Sequence, residues 1–138
     1  LRQILLFASA GDRAPGAHGH LNTAGAKVNS MIKSKDWSTV ARRALTATEI
    51  VTQLAQLEGW TLRGEEADVA IEKTYRFANY YQTIAFVNAL AFVAHVSDHH
   101  PELLVTYNRC VVRFNTHDVQ GISETDFQCA TAVDSLLA

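Results

Sequence analysis

The sequence predicts an α+β domain: a four-stranded antiparallel sheet with three helices packed on one face, in the order α-β-β-α-β-β-α. Three observations carry that prediction. Apolar residues recur at helical spacing near 46–57, 79–98 and 123–137. Between them, 70–77 and 110–117 alternate with a period of two, and each has a shorter strand-like partner just before it. Strands that arrive in pairs between helices form an antiparallel sheet, and placing the helices on one face buries all three apolar stripes.

The first helix is expected over 46–57. Thr46-Ala-Thr-Glu49 has capping-box spacing, in which hydroxyl and carboxylate satisfy unpaired N–H groups at the helix start. Ile50, Val51, Leu54 and Leu57 form its apolar face, and Gly59 stops it. Residues 60–63 read as a short strand, 64–68 as a turn, and 70–77 as a second strand in which Ile71, Lys73, Tyr75 and Phe77 share one face. The next helix runs from about 79 to 98 and is apolar on more than one side, the pattern of a helix covered on more than one side. In so small a domain this suggests a second subunit. Asn88, His95 and His99 fall on one polar stripe along it. Residues 103–107 and 110–117 are two further strands joined tightly around Asn108, with Cys110, Val112 and Phe114 facing inward. Ser123-Glu-Thr-Asp126 opens the last helix with another capping pattern, followed by Phe127, Ala130, Val133 and Leu137.

At 138 residues, 48% hydrophobic and 19% charged, the chain supports one globular domain of modest core. No apolar run reaches the length of about 18 residues expected of a membrane span. Cys110 and Cys129 lack metal-site spacing and read as buried free thiols. Charge is uneven along the chain. Residues 1–43 hold seven Lys/Arg against two Asp, and residues 44–138 hold five Lys/Arg against twelve Asp/Glu. The acidic body argues against direct nucleic-acid binding, which needs clustered positive charge. Residues 1–43 show no regular period and read as a flexible N-terminal extension before a domain at 44–138. Met31 is a candidate native start, Trp37 a candidate anchor on the domain, and an organelle transit peptide the alternative. Otherwise the expected location is cytoplasmic.

Chemistry concentrates at His95-Val96-Ser97-Asp98-His99-His100-Pro101, which holds three of the six histidines. Imidazole is the side chain whose unperturbed proton affinity suits transfer near neutral pH. Pro101 disfavours helix just before it, so the helix ends near His99 and leaves His100 extended. His95 and His99, four apart, have a frequent metal-binding spacing, and with His117 they could form a three-histidine zinc site. A metal-dependent lyase or hydrolase is therefore one reading of the residues.

His95-x3-His99-His100-Pro101-x5-Tyr107-x9-His117-x8-Asp126 resembles the signature of the pterin-4a-carbinolamine dehydratases over roughly residues 45–137. Position 95 is often glutamate in animal members, so that carboxylate's role does not transfer to His95. The resemblance implies this same α+β architecture, assembled as homodimers or homotetramers. It also implies dehydration of a 4a-hydroxytetrahydropterin to quinonoid dihydropterin without metal or cofactor, in support of tetrahydropterin recycling. His99, His100 and His117 would be catalytic. Pro101 and the Thr116-His117-Asp118 backbone would hold the pterin, and His95 and Asp98 would support the imidazoles. Trp60 is a candidate to stack on the flat heterocycle, although an aromatic opening a strand more often packs in the core. Asp126 closes the signature and is expected to cap its helix rather than take part in catalysis. Animal members also serve as a dimerisation cofactor of a homeodomain protein, so a non-catalytic binding module is the third reading.

Overall fold

The computed structural model describes residues 4–6, residue 36 and residues 42–138. Met31 and Trp37 lie outside the described residues. The elements are strand β1 (Ile4–Leu6), helix α1 (Ala47–Leu54), strands β2 (Thr61–Arg63) and β3 (Ala70–Arg76), helix α2 (Tyr80–Ser97), strands β4 (Glu102–Val105) and β5 (Arg109–Phe114), and helix α3 (Glu124–Ser135). From α1 onward this is the predicted order. The sheet is antiparallel throughout, with strand order β1-β4-β5-β3-β2. β1 is a fifth strand, from within the segment read as an extension. It adds along the outer edge of β4, with Ile4 opposite Val105 and Leu6 opposite Leu103.

Local chemistry explains the boundaries. Thr46 and Glu49 close the capping box: Thr46 N–H donates to Glu49 Oε2 (2.8 Å) and Glu49 N–H to Thr46 Oγ1 (3.3 Å). Arg43 forks onto the same carboxylate at 2.8 and 2.9 Å. The Arg43 guanidinium and the Thr46 N–H hold the Glu49 carboxyl down at about 2. α1 stops at Leu54, earlier than the apolar spacing implies, and Val51 stays 66% exposed while Ile50, Leu54 and Leu57 pack on the core. Gly59 and Gly64 bracket β2 with φ of +82° and +84°. At Gly64 a Cβ would lie 2.4 Å from the Asp68 carbonyl oxygen, so the turn admits only glycine.

The core lies between the sheet and the helices. Cys110, Val112 and Phe114 of β5 are fully buried, as their alternation predicts, beside Ile71 and Tyr75 of β3, Phe86 and Leu90 of α2, and Phe127, Ala130 and Val133 of α3. Leu137, placed on the α3 stripe by spacing, falls past the helix end and is exposed. Trp60 is also core. Its ring packs against Tyr75 and Phe114, and its Nε1–H donates to Asp134 at 3.0 Å. Asp134 accepts further from Lys73 Nζ (2.8 Å) and Tyr75 OH (2.5 Å), which ties α3 to β3 through one carboxylate.

Candidate active site

The predicted polar stripe on α2 does not extend to His99. The helix ends at Ser97, and Asp98 turns into the left-handed region with φ +45°. The reversal satisfies the last carbonyls: Asp98 N–H donates to His95 O and His99 N–H to Ala94 O, both at 3.1 Å. Asparagine and aspartate tolerate this conformation better than most residues. Asp98 thereby steers the next side chain inward. His95 and Asn88 remain exposed on the helix, whereas His99 is 6% exposed. The next two residues part again, with His100 exposed and Pro101 buried.

His99 lies flat against Phe114, with ring centroids 5.9 Å apart and planes 12° apart. Its Nε2 is 2.5 Å from Asp126 Oδ1. The other carboxylate oxygen accepts from the Ser123 N–H (2.9 Å) and the Thr116 hydroxyl (2.8 Å). Asp126 thus caps α3 as predicted and also binds the buried histidine. A carboxylate with no exposed surface is costly unless its lone pairs are filled, and these three donors fill them.

Thr116 continues the inward parity of Cys110, Val112 and Phe114 and is buried. Its side chain is engaged with Asp126 and, at 2.7 Å, with the Ser123 hydroxyl. Its backbone is engaged too, in a bridge to Gly121: N–H to O at 2.9 Å, with the return bond at 3.4 Å. This bridge closes a small loop in which His117–Val119 form a 3-10 turn, and it presents His117 and Asp118 outward. Asp118 pairs with Arg42 at 3.5 Å.

Three elements therefore meet at one end of the molecule: the C-terminus of α2 with His99, the end of β5 with Thr116, and the N-terminus of α3 with Asp126. His117 follows Thr116 directly in sequence and is exposed, and His100 and Pro101 flank His99. Three predicted members fall outside it. His95 stays exposed on α2. Trp60 is enclosed in the core on the Asp134 side, where its neighbours are Tyr75 and Phe114. Asp98 is exposed and makes no side-chain bond among the described residues, so the carboxylate on His99 is Asp126. Spacing alone did not single out Ser123 as part of the cluster, although its capping pattern marked the position. Among the described residues no three His, Cys, Asp or Glu side chains converge as a metal site.

Residues 43–136 match the family profile described as pterin 4 alpha carbinolamine dehydratase. The chain belongs to this family. A relative from Paracidovorax citrulli (strain AAC00-1), named after pterin-4-alpha-carbinolamine dehydratase, is 67% identical over 110 residues, covering 80% of this chain and 95% of the relative. One of the same name from Bdellovibrio bacteriovorus is 56% identical over 98 residues, covering 68% and 78%. Among solved structures, a transcriptional coactivator/pterin dehydratase from Brucella melitensis superposes with a TM-score of 0.64 at 29% identity, covering 69% of this chain and 99% of that one. As a pterin-4a-carbinolamine dehydratase family member, the chain brings the signature's His99 against its closing aspartate, Asp126.

Proposed function

We propose that the protein is a hydro-lyase that converts a 4a-hydroxytetrahydropterin to quinonoid dihydropterin and water by histidine general acid–base catalysis. The observation that carries this reading is the junction of α2, β5 and α3, where one carboxylate ties the element bearing His99 to the residue preceding His117. Together with a family match spanning the domain, that junction supports a role for both imidazoles. His99 takes the proton from N5, the N5 electrons form the C4a=N5 double bond, and the C4a–O bond breaks as His117 protonates the departing hydroxyl. His100 orients the substrate, with Pro101 and the loop carrying Asp118 beside it. No redox change occurs, and the imidazoles exchange protons with water to reset.

The catalytic unit in this reading is residues 44–138, and a chain starting near Ala44 keeps its activity. Exposed Tyr81 (83%) and Phe92 (53%) on α2 support a homodimer or homotetramer built through that helix. Among the described residues no helix is long and apolar enough to cross a membrane. The setting proposed is the cytoplasm, in support of tetrahydropterin recycling.

The direct test follows formation of quinonoid dihydropterin from freshly generated 4a-hydroxytetrahydropterin, with and without the protein. Acceleration above the uncatalysed rate, retained after exhaustive chelation, is expected. No acceleration contradicts the reading, and activity lost to a chelator and restored by zinc would replace it with a metal-dependent lyase.

A further inference from the structure

We infer that His99 reacts through Nδ1, and that Asp126 and Thr116 are positioning residues that impose this choice. The inference rests on the dehydratase reading for the identity of the proton but on its own geometry for the identity of the nitrogen.

Hydrogen-bond direction fixes the tautomer. A carboxylate is acceptor-only, so the contact between His99 Nε2 and Asp126 Oδ1 at 2.5 Å needs its proton on Nε2. The Thr116 hydroxyl must likewise donate to Asp126 Oδ2, which leaves the Ser123 hydroxyl as donor to Thr116 Oγ1. The result is a directed chain: Ser123 O–H to Thr116, Thr116 O–H to Asp126, and His99 Nε2–H to Asp126. Oδ2 is already filled by the Ser123 N–H and the Thr116 hydroxyl. Oδ1 is therefore the oxygen left for the imidazole, and the carboxylate has no reason to rotate.

In a neutral imidazole one nitrogen donates and the other accepts, and the bond made by the first fixes the second. With Nε2 committed as donor, Nδ1 carries the lone pair. It has no partner among the described residues, in a side chain that is 7% exposed. Stacking on Phe114 holds the ring plane. When Nδ1 accepts the N5 proton, the imidazolium forms against a carboxylate already in place, so the charge is stabilised without rearrangement. This changes the role of Thr116. Its side chain and backbone are spent inside the protein, so it acts on the reaction through Asp126 and His99, not by touching the pterin.

Histidine labelled with nitrogen-15 reports the tautomer through long-range proton–nitrogen correlations, and the His99 signals are assigned by their loss in His99→Gln. The expected result at the pH of catalysis is an Nε2–H ring with unprotonated Nδ1. A ring carrying a proton on Nδ1, alone or with Nε2, overturns the inference. Kinetics supply a second readout. Thr116→Val should lower kcat by roughly ten- to a hundredfold with KM nearly unchanged, and Thr116→Ser should restore most of the rate. A rise in KM at unchanged kcat would make Thr116 a substrate contact and also overturn it. The tautomer is read in the unmodified protein whether or not dehydration is seen, so this inference and the dehydratase reading fail separately.

Discussion

Asp126 shows how one residue can serve architecture and chemistry at once. The sequence marks it twice, as the end of a capping pattern and as the end of a family signature. Its contact with His99 was not legible, because the two are 27 positions apart and meet only through the turn at Asp98. Helical geometry continued through 98 would have put His99 on the exposed stripe with His95. The inward course of Thr116, by contrast, follows from extending the β5 alternation by one step. Replacing Asp126 with alanine leaves three buried donors without an acceptor. That change should destabilise the fold by about 3–5 kcal/mol, as expected for breaking a buried charged network. Urea unfolding of Asp126→Ala against the unmodified protein measures it, and a difference below 1 kcal/mol would show that water replaces the carboxylate.

At the scale of elements, the helical and period-two patterns were legible because burial imposes them, and every predicted strand and helix of the domain is present. The boundaries were less legible. Apolar spacing cannot see that α1 unwinds after Leu54 or that Leu137 falls past the end of α3. The capping box of α1 has a consequence in pH. The folded-state value for Glu49 is lowered from the usual 4.5 to about 2, so its contribution is present above 4.5 and is lost as pH falls toward 2. Melting temperature should therefore drop over that window, and Glu49→Gln should flatten part of the drop. Identical profiles would mean that Arg43 and Thr46 hold Glu49 no better than water does. The turn after β2 makes a second prediction. Gly64→Ala forces a side chain into a left-handed turn against the Asp68 carbonyl, at a cost of about 1–3 kcal/mol. Denaturant titration of that variant checks it.

For the whole molecule, the sequence disclosed one acidic domain with a histidine-rich corner, and the described structure builds that corner from three separate elements. The pairing of β1 with β4 was not legible, since three apolar residues in an irregular stretch carry no period. The apolar surplus of α2 was legible, and part of it stays uncovered in a single chain. Phe92→Glu should thus yield a smaller or insoluble species by light scattering, whereas an unmodified protein that is monomeric at micromolar concentration would remove the proposed subunit interface. His99 also constrains how the mechanism is tested, because a buried ring stacked on Phe114 cannot be truncated to alanine without loosening the core. Glutamine keeps a donor for Asp126 and removes the base. The most direct measurement is therefore the initial rate of pterin dehydration by His99→Gln, His117→Ala and the double variant, with circular dichroism as the folding control. Each single change should cost on the order of 10²–10⁴-fold, and the double much less than the product of the two, since both protons move in one transition state. Near-full rates in both single variants would contradict the assignment of proton transfer to His99 and His117.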